Sequence, residues 1–259
     1  MNISNLKRLL MGCLASVCVM LTACTSEQEP GQQAGAGSIR LGLTTSTAFT
    51  KAVTESDYGD VNKYTVQILN NKGTAAVEDF IYGEAPERIT LNNGSYTLKA
   101  FYGEEKDASR DGFYVEGEQT FIVNGEELQV EVACKPTCGK VVVHFADEMA
   151  TYFSNYSVIY ETEALKAAGS TAIWQKADTD PWYLKVNEKG ESVKATISFT
   201  RLSDGKSASV EKTYTLAPGK SWTLNIAPQD NNGSLGITVT IDESTDDEEI
   251  DIEVPSEWV

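Results

Sequence analysis

The side chains with reactive or ligating chemistry are few, and they fall in three places. Asp242, Glu243, Asp246, Asp247, Glu248 and Glu249 crowd one short segment. Their hard oxygens are ligands of the kind Ca²⁺ takes, with Asp242, Asp246 and Asp247 the candidate set, but the order lacks the glycine and alternate-position ligands of calcium loops. A solvated hairpin tip that discourages edge-to-edge strand pairing is the alternative. Cys134 and Cys138 flank Pro136. A tight turn there would bring their Cα atoms within the ~4.4 to 6.8 Å that a disulfide needs, whereas an extended segment holds them about 13 Å apart as two thiols. Without a histidine beside them they make a poor zinc site. Trp174, Trp182 and Tyr183 gather near Asp178, Asp180 and Pro181. Exposed rings beside carboxylates stack on sugars, because the C–H face of a sugar packs on a flat π system while acids bind its hydroxyls. The alternative places Trp182 and Tyr183 at the start of a strand, with the tryptophan plugging a core.

Acid–base catalysis finds no footing. The single histidine, His144, alternates with Val141, Val143 and Phe145, which puts its imidazole on the wetter face of a strand without a partner. No Gly-x-Ser-x-Gly elbow, Walker loop or His-Glu-x-x-His run is present. The reading is therefore non-enzymatic, with no cofactor apart from the covalent lipid argued below. Twenty-one basic residues against 38 acidic ones give a net charge of -17. Such a chain repels a phosphate backbone unless one face is locally basic, and no Lys/Arg cluster provides that face, so nucleic acid is excluded as a partner.

The elements that must position these residues have a period of two. Leu128, Val130 and Val132 alternate with Gln129 and Glu131, and Ile237, Val239 and Ile241 with Thr238 and Thr240. The same alternation runs through Tyr64–Ile68, Tyr96–Ala100, Val193–Phe199 and Trp222–Ile226. One face is apolar and the other wet, as in half-buried antiparallel strands. Turn pairs such as Asn93-Gly94, Asn124-Gly125, Asp204-Gly205 and Pro218-Gly219 punctuate the runs. Helix is confined to one or two turns over residues 147–153 and 163–168. The order of segments repeats: the run from Gly37 is echoed from Gly139, and that from Tyr64 is echoed from Tyr156. The expectation is an all-β chain of two consecutive antiparallel β-sandwiches, residues 38–136 and 137–259. Cys134 continues an inward phase, and Trp222, in phase with Leu224 and Ile226, belongs to the second core.

The N-terminus reads as an address. Lys7 and Arg8 precede an apolar run from Leu9 to Leu21, too short to span a bilayer that needs ~20 helical residues. It ends Leu21-Thr22-Ala23-Cys24, which resembles the lipobox of bacterial lipoproteins. That resemblance implies a signal peptide over residues 1–23 and a diacylglycerol on Cys24. Two or three acyl chains anchor a protein durably where one does not. Residues 24–37, polar and rich in Gly and Gln, then form a flexible tether. Glu27 and Glu29 loosely resemble the acidic export signal of Bacteroidota lipoproteins, and Thr25 is not the retaining aspartate, so the outer membrane is the expected location, with the cell surface its outer face.

The run from Ile89 to Gly103 (ITLNNGSYTLKAFYG) is similar to a signature of transthyretin-like sandwiches in Bacteroidota fimbrillin-type proteins. Together with Val130–Cys134, Val141–Phe145 and Val254–Trp258, it makes the mature chain resemble the lipoprotein family named domain of unknown function 4493. The resemblance implies transthyretin-like or Ig-like sandwiches and a surface role in cell adhesion or fimbria assembly, as an anchor or tip. It brings no catalytic residues. The partners it implies are other surface or fimbrial proteins. An accessory glycan-binding role in polysaccharide uptake, toward host or dietary glycans, is the alternative, and it would use Trp174, Trp182 and Tyr183. Fimbrillin-type subunits are cut so that a strand can be donated. Arg40 lies within the expected first strand, so a cut there would leave a gapped sandwich, which favours an anchor, tip or stand-alone protein over a shaft subunit.

Overall fold

The structure, a computed structural model, describes residues 35–46, 49, 57–231, 234–242 and 247–250. The chain is all-β, and its first strands are β1 (Ala36–Thr45), β2 (Thr65–Asn70), β3 (Phe80–Ile81), β4 (Ile89–Asn92), β5 (Gly94–Gly103), β6 (Ala108–Ser109), β7 (Tyr114–Val123) and β8 (Glu127–Pro136). All but β6 form one continuous sheet, in the order β3-β2-β5-β7-β8-β1-β4. The sheet folds over on itself at the β7–β8 contact, where only Val115↔Pro136 and Glu116↔Lys135 are paired. The alternating side chains of the two halves meet inside. Ile39, Tyr64, Val66, Ile68, Leu98, Ala100, Val130, Val132 and Cys134 are buried there, each large apolar side chain contributing about 1.5–3 kcal/mol relative to exposure.

The second part of the chain adds β9 (Cys138–Phe145), α1 (Met149–Tyr152), β10 (Phe153–Glu161), α2 (Glu163–Ala168), β11 (Ala172–Gln175), β12 (Trp182–Lys185), β13 (Glu191–Arg201), β14 (Ser207–Leu216), β15 (Ser221–Asn231), β16 (Ser234–Asp242) and β17 (Asp247–Ile250). A four-stranded layer, β11-β10-β13-β14, and a six-stranded one, β17-β16-β15-β9-β12-β6, enclose a second core around Val143, Val158, Tyr160, Trp174, Ile197 and Leu224. Both short helices form within the expected ranges. Thr162 caps α2 by accepting from the Leu165 N–H at 3.0 Å, and Gly169 ends it in the left-handed conformation at φ 65°.

Two features depart from a purely antiparallel reading. β1 pairs with β8 in parallel from Ser38↔Glu127 to Thr45↔Cys134, and β9 pairs with β15 in parallel from Ser221↔Lys140 to Ile226↔Phe145. In each case the intervening chain is long enough for the crossover that a parallel pair requires. Asn93-Gly94 is also not a hairpin turn. β4 pairs with β1 and β5 pairs with β2 and β7, so the chain changes layers at that point.

The two cores interlock across the sequence midpoint. Cys138 and Tyr183, on β9 and β12, are buried in the first core, while Ala108 of β6 packs against the second. Gln33–Val259 accordingly forms one compact unit.

Candidate functional site

A connected set of specific contacts lies at this joint. β5 ends at Gly103, and residues 104–112 leave the first sandwich as a strap across the second. Within the strap, β6 adds to the edge of β12 in antiparallel register, Ser109 opposite Tyr183 and Ala108 opposite Leu184. The Lys185 N–H donates to the Asp107 carbonyl at 2.9 Å, and the Lys185 ammonium pairs with the Glu105 carboxylate. A strand edge that would otherwise be bare is thereby covered by the neighbouring sandwich.

Arg110, at the end of the strap, is the key to the joint. Its guanidinium donates in a fork to both carboxylate oxygens of Asp178, at 2.7 and 2.6 Å, and to the Ile173 carbonyl at 2.9 Å and the Asp180 carbonyl at 3.3 Å. The same group lies 4.8 Å from the ring centroid of Trp182 and 5.5 Å from that of Trp174. The indole N–H of Trp174 donates to the Asp180 carbonyl at 2.9 Å, fixing the loop that supplies the other acceptors. Planar bidentate pairing and stacking on aromatic faces are what an arginine offers and a lysine does not.

Beneath the strap, aromatic rings close the seam. Phe113 lies 5.0 Å from Tyr183 and 5.0 Å from Phe49, and Tyr58 stacks on Phe113 at 3.8 Å. The Tyr58 hydroxyl accepts from the Phe113 N–H at 3.1 Å, and burial raises its pKa. The direct connection is short. β8 passes into β9 through a bend at Thr137, whose N–H donates to the Tyr114 carbonyl at 3.0 Å.

This arrangement accounts for the three aromatic residues singled out by sequence. Trp174 is fully buried, Tyr183 is 4% exposed inside the first core, and Trp182 is half-buried beneath Arg110. Their faces are taken up by protein, so they do not form an open platform for a sugar ring. Asp178 is likewise engaged with Arg110. Sequence reasoning missed Arg110 altogether, because no pattern within one sequence links position 110 to position 178.

Cys134 and Cys138 are both buried, and no disulfide joins them. β8 stays extended through Pro136, which pairs with Val115, so the tight turn that a bridge needs is not formed. The Cys134 thiol donates to the Ala100 carbonyl at 3.5 Å, and burial pushes its pKa up to about 12. His144 is exposed. Trp222 packs half-buried against the second core.

Asp242 and Asp247 are described only in their backbone, as a paired position of β16 and β17, and Asp246 lies outside the described residues. Cys24, the segment 1–23, the tether up to residue 34 and Val254–Trp258 lie outside them as well. Among the described residues no group of three or more His, Cys, Asp or Glu side chains could hold a metal ion, and no helix is long and apolar enough to cross a membrane. A surface cleft of about 360 Å³ lies beside β1, lined in part by Arg40, Asn62, Tyr82 and Glu87. Its charges are spoken for: Arg40 pairs with Glu87 at 2.9 Å and with Glu127 at 2.7 Å.

A family model described as a domain of unknown function, DUF4493, matches residues 35–256. No curated protein matches the sequence. Among solved structures, the chain is similar to a "putative cell adhesion protein" from Bacteroides eggerthii, at 13% identity and a TM-score of 0.44, covering 83% of this chain and 98% of that one. It is similar to a fimbrial assembly protein from Parabacteroides distasonis at 9% identity and a TM-score of 0.42, covering 85% and 99%. It is also similar to the fimbrial anchor protein Mfa2 from Porphyromonas gingivalis at 9% identity and a TM-score of 0.42, covering 80% and 98%.

Proposed function

The chain belongs to the family described as domain of unknown function 4493, and we propose that it is a non-enzymatic lipoprotein of the outer-membrane surface, serving adhesion or fimbria-associated assembly as an anchor, tip or stand-alone protein. The observation that carries this reading is the Arg110 joint. A protein that has to present a surface at a fixed distance from a membrane needs its domains held at a fixed angle. Here the residues best equipped for ligand binding, a forked arginine, a carboxylate and two tryptophans, are spent on holding two sandwiches together. The lipobox-like run ending at Cys24 supplies the attachment, and the polar residues between Cys24 and β1 link it to the first sandwich.

Arg40 supports the anchor, tip or stand-alone form over a polymerising subunit. It sits in the middle of β1, next to the fully buried Ile39, with β4 on one side and β8 on the other. A cut at Arg40 would remove a strand segment already paired on both edges and would open the first core.

The test is metabolic labelling of the full chain with radiolabelled palmitate in a Bacteroidota host, beside a Cys24→Ala form. Label on the wild type, none on the variant, and digestion of the wild type by protease added to intact cells are the expected results. An unlabelled wild type, or a Cys24→Ala form that stays envelope-bound, overturns the placement. Retention of the purified mature protein on a glycan affinity gel, lost in Trp182→Ala without loss of fold, would overturn the adhesion reading in favour of polysaccharide uptake.

A further inference from the structure

In the first sandwich β1 and β8 run the same way, and this fixes how they meet a pulling force. The chain reaches β1 at its start, from the side of the N-terminal tether, and leaves β8 at its end, into β9 and the second sandwich. Tension along the molecule therefore pulls β1 from its first residue and β8 from its last. For parallel neighbours those are opposite ends of the pair, so the strands are made to slide past each other.

We propose that the β1–β8 pair is a mechanical clamp, loaded in shear, that keeps the tethered protein folded while its far end is under tension. The eight register pairs from Ser38↔Glu127 to Thr45↔Cys134 share such a load at once. In an antiparallel terminal hairpin pulled from its open end, the ladder would fail one bond at a time. Sliding is also opposed by side chains. A slip of one residue turns every inward group outward, and Ile39 and Leu43 of β1 lie buried with Val130 and Val132 of β8. The far end of β1 is pinned as well: the hydroxyls of Thr45 and Tyr64 share a hydrogen bond at 2.9 Å, and the Ser46 N–H donates to the Cys134 carbonyl at 3.1 Å. Beyond the clamp, load passes through the bend at Thr137 and, beside it, through the strap and Arg110. The clamp rests on the proposed function only for the direction of the load, since a chain held at its lipidated N-terminal end is pulled this way.

Single-molecule force spectroscopy on the soluble mature chain separates the two ideas, because it needs no lipid. In one form, handles are placed ahead of residue 35 and in the exposed β13–β14 turn at Ser203, which loads β1 against β8 in shear. In the other, the second handle sits at the exposed Asn124, just before β8 begins, so that β1 is peeled from its first residue. At equal loading rate the shear geometry is expected to rupture at about twice the force of the peeling geometry or more, forced unfolding being governed by the barrier to rupture. Leu43→Val, which keeps the fold and lies in the far half of the ladder, is expected to lower the shear force and leave the initial peeling force nearly unchanged. Equal forces in the two geometries, or a Leu43→Val form that weakens both alike, overturn the clamp whatever the outcome of palmitate labelling.

Discussion

The ring of Tyr183 lies 5.0 Å from that of Phe113 and is buried in the first core, although Tyr183 belongs to β12, a strand of the second sandwich. Removing it opens a cavity in a core to which its own sandwich is only a neighbour. Tyr183→Ala is expected to cost about 3–5 kcal/mol, the range for truncating a buried aromatic side chain. Urea denaturation followed by both fluorescence and circular dichroism should show one coincident transition for the wild type and two separated transitions for the variant. Coincident transitions in both proteins would mean that the sandwiches are coupled elsewhere.

Arg110 makes a sharper version of the same point. Its side chain is 25% exposed and that of Asp178 is 27% exposed, so solvent screens the pair only in part. Arg110→Ala removes the forked partner of the Asp178 carboxylate and the side-chain donor to the Ile173 carbonyl, while the Asp180 carbonyl keeps the Trp174 indole N–H, and about 1–3 kcal/mol is the expected loss. Arg110→Lys keeps the charge but not the fork or the flat stacking surface, so it should recover less than half of that loss. Small-angle scattering should show a broader distribution of interdomain distances for Arg110→Ala at temperatures where both cores remain folded.

The cores were legible in the sequence because burial and alternation are the same fact seen twice. Tyr64, Val66 and Ile68, like Val193, Ala195, Ile197 and Phe199, occupy alternate positions and are all buried. Strand direction was not legible, since a period of two is common to parallel and antiparallel neighbours, and the β1–β8 and β9–β15 pairs look no different from hairpins. Asn93-Gly94 shows the limit of turn chemistry. The pair marks a change of direction correctly but cannot say whether the next strand returns to the same sheet. The joint was the least legible part. Trp174, Trp182 and Tyr183 read in sequence as a sugar-stacking set beside Asp178, whereas the structure seats Arg110 of the same chain against Trp174, Trp182 and Asp178 and buries Tyr183 in the first core.

Gly103 marks where the strap departs. Its φ of +91° is one that a side chain disfavours, and a Cβ there would sit 2.0 Å from the Phe113 carbonyl oxygen. Gly103→Ala must shift that backbone, and the conformation alone costs about 1–3 kcal/mol. The strap should detach before the first core fails, so hydrogen exchange at Ala108 and Ser109 is expected to accelerate while exchange in β2 and β5 stays near the wild-type rate. Uniform acceleration would place the damage in the core instead.

Alkaline solution probes the first core from within. Burial holds the Cys134 thiol at a pKa of about 12, and burial likewise pushes the Tyr64 and Tyr114 hydroxyls up to about 12. In the unfolded chain a thiol ionises near pH 8.5 and a phenol near pH 10. Between those values and about 12 the unfolded state has released protons that the folded state still holds, so folding loses stability as pH rises through that window and keeps the full contribution below it. Stability from urea melts should therefore be flat from pH 7 to about 8.5 and fall progressively above it. Cys134→Ala should lose a little stability at pH 7, through its smaller volume, yet fall less steeply between pH 9 and 11. The same burial predicts that iodoacetamide at pH 8 leaves the native thiols of Cys134 and Cys138 unmodified and alkylates both in urea, a mass shift that can be read directly. Rapid alkylation of the native protein would show that β8 opens far more often than a strand held between β1 and the joint should.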